Sequence, residues 1–190
     1  MLSRIFVELE ASGRHVHVTA QQANILFGHN LTPKRPLSQP GQYLSNERLT
    51  VVGPKGEFQN VAVLGPERGS AQVEISLTDG KTLGITPPIR PSGSVENTPG
   101  CTLIGPKGRV ELQCGVIAAK RHIHMTPEAA KTFDVADKDT VSLQVFTARP
   151  LTFQDVQVRV SPHFATYAHL DYDEANACGW QPGDLGRIKK

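Results

Sequence analysis

The sequence predicts a mainly β protein that is internally duplicated and has only short helices. Seventeen glycines and fourteen prolines separate short runs rich in Val, Ile, Leu and Thr among the 190 residues. Such runs favour strands, and the glycines and prolines favour the turns between them. No apolar helical period persists beyond about two or three turns. Short strands that close into barrels are typical of this pattern.

Length and composition allow one large domain or two small ones. Of the 190 residues, 38% are hydrophobic, which is enough for a core in each of two small domains. The three cysteines, Cys101, Cys114 and Cys178, form no C-x-x-C motif and cannot all pair. This usage is typical of reduced thiols in an intracellular protein.

Charge and hydropathy argue against nucleic acid and membranes as partners. The chain carries 20 basic and 18 acidic residues, and its formal net charge is +2. This charge creates no broad positive field that would attract nucleic acid or an anionic membrane. The first residues, M-L-S-R-I-F-V-E-L-E, predict a strand in which Arg4, Glu8 and Glu10 interrupt the apolar residues. That interruption excludes the apolar run of a signal peptide or a membrane span. We therefore expect no nucleic acid and no membrane as a partner.

Two H-x-H motifs stand in nearly identical settings, R-H-V-H-V-T in the first half of the chain and R-H-I-H-M-T in the second. Alternate side chains of a strand point to the same face, so His15 and His17 share one face, and His122 and His124 share another. Neutral imidazole nitrogen is a ligand that zinc prefers. Each pair therefore predicts part of a metal site.

A short helix is predicted directly after each H-x-H motif. The first covers Ala20–Phe27 and the second covers Pro127–Phe133. Thr126 precedes the second helix as its N-cap, and Pro127 occupies the first helical position, where its missing N–H costs nothing. The same order of strand and helix is therefore predicted in both halves.

The repeat continues beyond these helices and selects a third candidate ligand in each half. F-Q-N-V, which begins at Phe58, matches F-Q-D-V, which begins at Phe153, and this register aligns Glu74 with His169. It also aligns Thr78 with Asp173, each a predicted helix cap, and Gly84 with Gly179, each a predicted helix-ending glycine. Three protein ligands with an open position are typical of catalytic zinc. We predict two such triads: His15, His17 and Glu74, and His122, His124 and His169.

The alternative to metal binding is that these histidines are ordinary polar residues on strands, partly buried and without a ligand. For either H-x-H pair taken alone, this alternative applies. The repeated context and the matched third candidates favour the metal role for both pairs. His29 and His163 lie outside the repeated frame, and we predict that they are exposed.

A second repeat predicts two hairpins within one domain. L-T-V-V-G-P-K-G, which ends at Gly56, recurs as C-T-L-I-G-P-K-G, which ends at Gly108, and each predicts a strand followed by a turn. The lysines of these turns, Lys55 and Lys107, are predicted to be solvated because neither segment has the glycine spacing of a phosphate-binding loop. The proline-rich stretch Pro87–Pro99 is predicted to be a loop.

Several motifs together resemble one known family, the PduL-type phosphotransacylases, also called phosphate propanoyltransferases. The motifs are S-G-R-H-V-H-V-T, L-S-Q-P-G-Q, V-L-G-P-E-R, V-E-I-S-L-T-D, R-H-I-H-M-T and H-L-D-Y-D-E-A-N. The resemblance runs from about Ser12 to Cys178, nearly the whole chain. The resemblance implies two small β-barrel domains with short capping helices. Residues 12–119 would form the first and residues 120–190 the second, which residues 1–11 would complete with a strand.

The resemblance also implies a dinuclear zinc site, with two Zn²⁺ per chain held by the six residues that the repeat selects. The implied reaction moves an acyl group between coenzyme A and inorganic phosphate. By resemblance, Arg68 is the catalytic residue and binds phosphate with Ser92, while Arg35 and Asn176 bind coenzyme A. Without the resemblance, Arg68 would be interpreted as a solvated turn arginine, and Arg35 as part of an exposed basic pair with Lys34.

Two other functions fit the same six residues. A zinc-dependent thioester hydrolase would use them to activate water, and its cleavage would not need phosphate. A non-catalytic duplicated metal-binding module would have no open coordination position and would unfold without metal. For the transferase, acetyl-CoA and propanoyl-CoA both remain candidate substrates.

Location and assembly are predicted more coarsely. Many family members inside bacterial microcompartments begin with an amphipathic helical extension, whereas fewer than fifteen residues precede His15. We expect a cytoplasmic enzyme, or one that enters a microcompartment by another route. A homodimer or a higher homo-oligomer is expected because closed symmetric assemblies, dimers above all, are the commonest.

Overall fold

The computed structural model describes residues 6–190, so the first five residues of the predicted amino-terminal strand lie outside the described part. Short strands dominate it. In chain order they are β1 (Phe6–Ser12), β2 (His15–His17), β3 (Pro33–Pro36), β4 (Tyr43–Val52), β5 (Glu57–Gly65), β6 (Gln72–Glu74), β7 (Ile89–Arg90), β8 (Cys101–Ile104), β9 (Arg109–Leu112), β10 (Val116–Ala119), β11 (His122–Met125), β12 (Thr140–Phe146), β13 (Leu151–Val160), β14 (Tyr167–Asp171) and β15 (Leu185–Lys189).

Four short helices connect these strands: α1 (Ala20–Phe27), α2 (Leu77–Leu83), α3 (Pro127–Phe133) and α4 (Tyr172–Cys178). The predicted bounds of α1 and α3 are confirmed. Within residues 6–190, no helix has both the length and the apolar character needed to cross a membrane.

The predicted caps of α2 and α4 at Thr78 and Asp173 were wrong by two residues. The observed N-caps are Ser76 and Asp171, because their side-chain oxygens accept the backbone N–H of the third helical residue. Both helices do end at the predicted glycines, Gly84 and Gly179, which adopt the left-handed conformation.

One compact unit, here called the barrel unit, comprises residues 6–12, 38–40 and 120–190. Its six strands close in the order β1, β14, β11, β13, β12, β15, and β15 pairs back to β1. Closure leaves no unpaired sheet edge. The buried cluster of this unit includes Leu9, Ile123, Leu143 and Leu170.

The other unit, here called the open-sheet unit, comprises residues 13–37 and 41–119. Its strands pair in the order β7, β10, β6, β2, β5, β4, β8, β9, and β3 adds to β4. Its buried cluster includes Val16, Val73, Leu83 and Leu103. The predicted mainly β, internally duplicated fold with short helices is confirmed. One unit is a closed barrel, whereas the described strands of the other form an open sheet.

The strand register shows the duplication directly. In the open-sheet unit, β2 runs parallel to β5 and antiparallel to β6, and Val16 lies opposite Val63 and Val73. In the barrel unit, β11 runs parallel to β13 and antiparallel to β14, and Ile123 lies opposite Val158 and Ala168. The H-x-H strand is therefore the middle strand of the same three-stranded arrangement in both units.

The hairpins predicted from G-P-K-G are present as β4–β5 and β8–β9, both in the open-sheet unit. Each turn also binds the end of a helix. The Lys55 N–H donates to Leu83 O and the Lys107 N–H donates to Leu26 O, both at 3.0 Å. Carbonyls in the last helical turn lack partners within the helix, so these turns stabilise α2 and α1. Both lysines are exposed, as predicted.

A duplicated ion pair joins each H-x-H strand to the helix that follows the third candidate ligand. Arg14 binds the carboxylate of Asp79 through Nη2 at 2.7 Å and Nε at 3.1 Å, and its guanidinium lies 4.0 Å from the centre of the Phe58 ring. The equivalent residues in the barrel unit are Arg121, Glu174 and Phe153. Asp79 and Glu174 also accept the backbone N–H of the N-cap residues Ser76 and Asp171, so each ion pair fixes a helix start against an H-x-H strand.

Replacing Asp79 by alanine is expected to lower the free energy of unfolding by about 1–3 kcal/mol, because its hydrogen bond from the N-cap residue Ser76 and its contacts with Arg14 are lost together. The side chain of Asp79 is only 8% exposed. Urea denaturation would measure the change. The matched control is Glu111→Ala, which removes an exposed pair with Arg109 and should cost less than about 1 kcal/mol. An equal cost in both variants would contradict this role of Asp79.

Candidate metal centre

The structure brings His15, His17 and Glu74 together in the open-sheet unit, and their ligand atoms lie within 4.8 Å of one another. His15 lies directly opposite Glu74 in the register of β2 and β6. Because Val16 and Val73 belong to the core, the triad occupies the opposite face of these strands. All three residues are nevertheless buried, and His17 is only 2% exposed.

Backbone carbonyls orient both imidazoles of this triad. His15 Nδ1 lies 2.8 Å from Gly13 O, and His17 Nδ1 lies 3.2 Å from Leu64 O. A hydrogen on each Nδ1 leaves the lone pair on Nε2, which is the arrangement that a metal-binding histidine needs. His15 Nε2 in turn lies 3.5 Å from the Glu74 carboxylate. Two imidazole nitrogens and a carboxylate oxygen are a donor set that suits zinc.

Electrostatics at the triad also favour a cation. Burial, with smaller contributions from the charges of His15 and Arg68, lowers the pKa of His17 to about 2, so this imidazole is neutral and its Nε2 can bind a metal. Burial also lowers the pKa of His15, but the charge and hydrogen bond of Glu74 outweigh it and the net pKa is raised. The carboxylate that attracts a proton to His15 would attract a metal ion in the same way.

Two polar side chains hold the Glu74 carboxylate. Gln72 and Ser92 each donate to Glu74 Oε1, and the Gln72 amide also donates to Ser92 Oγ at 2.8 Å. The Gly93 N–H donates to Gln72 Oε1 at 2.7 Å. Gln72 is 2% exposed, so this buried amide connects the Ser92–Gly93 loop to the candidate ligand.

In the barrel unit the structure brings together His122, His124 and His169, whose ligand atoms also lie within 4.8 Å of one another. His122 lies opposite His169 in the register of β11 and β14, as His15 lies opposite Glu74. His122 Nδ1 lies 2.8 Å from Lys120 O, two residues earlier, which repeats the contact of His15 with Gly13. The predicted equivalence of Glu74 and His169 is therefore confirmed in the strand register.

His169 has polar neighbours of its own. Its Nδ1 lies 3.3 Å from Glu10 Oε2, and Ser38 Oγ donates to the same oxygen at 2.5 Å. Its Nε2 lies 3.4 Å from the Gln39 amide nitrogen. Gln39 is fixed by two hydrogen bonds with the backbone of Ala165.

The other candidate site residues fall into two groups. Arg68 follows β5, and its positive charge lowers the pKa of both His15 and His17, so it acts on the first triad. Ser92 also belongs to this neighbourhood through its bond to Glu74. Arg35 on β3 is an exposed residue of the open-sheet unit, and Asn176 on α4 is an exposed residue of the barrel unit. His29 and His163 are exposed, as predicted.

Sequence reasoning missed four residues that surround the candidate ligands: Gln72, Glu10, Ser38 and Gln39. Gln72 had a usable signal, since it lies two residues before Glu74 on a strand and must share its face. Glu10, Ser38 and Gln39 had no such signal. Glu10 and Gln39 contact His169, and Ser38 contacts Glu10, so these contacts join segments that are far apart in the chain.

Comparisons with known proteins identify the family to which the chain belongs. A family model described as phosphate propanoyltransferase matches residues 8–181. A phosphate propanoyltransferase of Enterococcus faecalis is 56% identical over 185 residues, which cover 96% of this chain and 88% of the relative. One from Clostridioides difficile is 54% identical over 187 residues, covering 97% and 90%. One from Thermotoga maritima is 51% identical over 177 residues, covering 92% and 84%. With a match over nearly its whole length, the chain belongs to the phosphate propanoyltransferase family, the phosphotransacylases that its motifs resemble, and is therefore a transferase.

Proposed function

We propose that the protein interconverts an acyl-CoA and inorganic phosphate with an acyl phosphate and free coenzyme A, at a dinuclear zinc site. Propanoyl-CoA and acetyl-CoA are the proposed acyl donors. The family supports the acyl transfer to phosphate. The zinc proposal rests chiefly on one observation, the two triads at equivalent register positions of a duplicated frame.

Each triad would hold one Zn²⁺, the first through His15, His17 and Glu74 and the second through His122, His124 and His169. Three protein ligands leave a coordination position for a substrate. The chemistry that bound zinc supplies is Lewis acidity, which stabilises the coenzyme A thiolate as a leaving group and offsets the charge of phosphate.

The residues of the chain would supply binding and charge for the transfer itself. A phosphate oxygen attacks the thioester carbonyl carbon, the carbon–sulfur bond breaks, and coenzyme A leaves as its thiolate. We propose that Arg68 binds the phosphate, because a planar guanidinium can make two parallel hydrogen bonds to it. The same positive charge offsets the negative charge that develops in the transition state. Arg68 is therefore the proposed catalytic residue.

The remaining site residues have binding roles in this proposal. Ser92 would lie beside the phosphate, next to the Glu74 carboxylate that its hydroxyl already contacts at 3.1 Å. Arg35 and Asn176 would contact coenzyme A, and their exposure is compatible with a large, partly solvated substrate. Gln72 would keep the Glu74 carboxylate in the orientation that the metal requires.

The domain limits, the assembly and the location of the protein stay predictions. We propose domains at residues 12–119 and 120–190, the second completed by residues 1–11. A homodimer or a higher homo-oligomer is the proposed assembly, which light scattering on the purified protein would test. The proposed location is the cytoplasm or a bacterial microcompartment.

A phosphate-dependence assay tests the reaction type. We expect release of free thiol from propanoyl-CoA or acetyl-CoA when phosphate is present, and formation of an acyl phosphate that hydroxylamine traps. Without phosphate, thiol release should fall to the background rate because water does not replace the nucleophile. Release at a comparable rate without phosphate would instead support the zinc-dependent hydrolase. Absence of turnover with both substrates, in protein that unfolds on metal removal, would support the non-catalytic module.

A further inference from the structure

The two triads differ in charge. The triad of the open-sheet unit contains a carboxylate, Glu74, whereas the triad of the barrel unit consists of three histidines. Because ligand histidines are neutral, the second triad would bring no negative charge of its own to a Zn²⁺ ion. A carboxylate immediately behind one of its ligands could supply that charge.

Glu10 occupies that position. Strand β1 pairs in parallel with β14, and Glu10 lies directly opposite His169 in the register. The neighbouring residue Leu9 points into the barrel core, so Glu10 shares the other face with His169. The 3.3 Å distance from Glu10 Oε2 to His169 Nδ1 is within hydrogen-bonding reach. Ser38 donates to the same carboxylate oxygen and so limits its movement.

The contacts of Glu10 and Gln39 with the two nitrogens of the His169 ring favour the same tautomer. A carboxylate beside Nδ1 favours the hydrogen on that nitrogen, because an ionised carboxylate can only accept. The amide nitrogen of Gln39 can only donate, and it lies 3.4 Å from Nε2. The lone pair is therefore on Nε2, as a metal ligand requires.

The duplication supplies an internal comparison. In the open-sheet unit, β10 pairs in parallel with β6, and the residue opposite Glu74 is Ile117. Ile117 thus stands where Glu10 stands in the barrel unit. Each unit thus places a carboxylate at its triad, as a candidate ligand in one unit and behind a candidate ligand in the other.

We propose that Glu10 is the positioning residue of the barrel-unit triad, where its carboxylate accepts the Nδ1 hydrogen of His169 and supplies the negative charge that three histidines lack. Ser38 supports this role by holding Oε2. The inference rests on the proposed zinc binding by His122, His124 and His169. Removing such a carboxylate typically weakens metal affinity about 10- to 100-fold.

Two single-site backgrounds test the inference. His17→Ala leaves the barrel-unit triad intact, and His124→Ala leaves the open-sheet triad intact. Zinc affinity is measured by competition with a chromogenic chelator, and the visible absorption of Co²⁺-loaded protein reports the ligand geometry. Glu10→Ala should weaken zinc binding about 10- to 100-fold in the first background, change the Co²⁺ spectrum there, and alter neither quantity in the second background.

Three further variants separate charge from folding. Glu10→Gln keeps the shape of the side chain but removes its charge, so it should weaken zinc binding at the barrel-unit triad by a smaller factor. If Glu10→Ala does not fold, Glu10→Gln alone tests the role of the charge. Ser38→Ala should also weaken zinc binding at this triad. The matched control is Glu8→Gln, an exposed residue on the same strand, which should leave both sites unchanged. Wild-type affinity and spectrum in Glu10→Gln and in any folded Glu10→Ala would overturn the role of Glu10. Absence of zinc binding in the His17→Ala background itself would instead overturn the proposed metal site.

Discussion

Replacing His124 by alanine should reduce the zinc content from two ions per chain to one and reduce turnover to the background rate. His124 is one of three candidate ligands in the barrel unit, and it is buried. Two remaining imidazoles make a weak site, because catalytic zinc normally has three protein ligands. His15→Ala should have the same effect on the open-sheet triad. Elemental analysis and the phosphate-dependent thiol assay on the same sample would measure both quantities.

The control for this pair of variants is His163→Ala. His163 is exposed and lies outside both triads, so two zinc ions and wild-type turnover are expected. Full zinc occupancy in His124→Ala or in His15→Ala would remove that residue from the set of ligands. A loss of both ions in each variant, with loss of secondary structure, would point to a structural module in place of a catalytic one.

Replacing Arg68 by alanine should lower kcat/KM for acyl transfer by about two or more orders of magnitude, the effect typical of removing a donor that stabilises transition-state charge. Zinc content should stay at two ions per chain, because Arg68 belongs to neither triad. The fold should also persist, since alanine keeps the backbone N–H that donates to Val18 O at 2.9 Å. Arg68→Lys should recover only part of the activity because lysine lacks the planar fork.

Arg109→Ala serves as the matched control, because Arg109 is an exposed arginine of the same unit that pairs with Glu111. It should leave kcat/KM unchanged. A wild-type rate in Arg68→Ala would contradict the catalytic role of Arg68. If that rate also persisted without phosphate, the zinc-dependent hydrolase would explain the protein better.

The local elements could be predicted from the sequence because their signals are local. Thr126 and Pro127 mark the start of α3, and the observed helix has the predicted bounds. The caps of α2 and α4 were misplaced because several residues near each helix start can accept a hydrogen bond, and only backbone geometry selects Ser76 and Asp171.

The pairing of distant residues could be predicted only where the duplication encoded it. The matched phenylalanines Phe58 and Phe153 set a register that aligned Glu74 with His169. In the structure, Glu74 and His169 each lie opposite the first histidine of an H-x-H strand. Glu10 has no counterpart of its own kind in the repeat, since Ile117 occupies the equivalent position. Its approach to His169 depends on the pairing of β1 with β14, which no local pattern reveals.

X-ray diffraction from crystals of the purified protein, recorded at the zinc absorption edge, would locate bound zinc at the two triads. We predict two anomalous peaks per chain, one bounded by His15, His17 and Glu74 and the other by His122, His124 and His169. Each ion should be about 2.0–2.2 Å from its three protein ligands and should keep one position free of protein. A peak at only one triad, a fourth protein ligand that closes either site, or zinc bound by other residues would contradict the account.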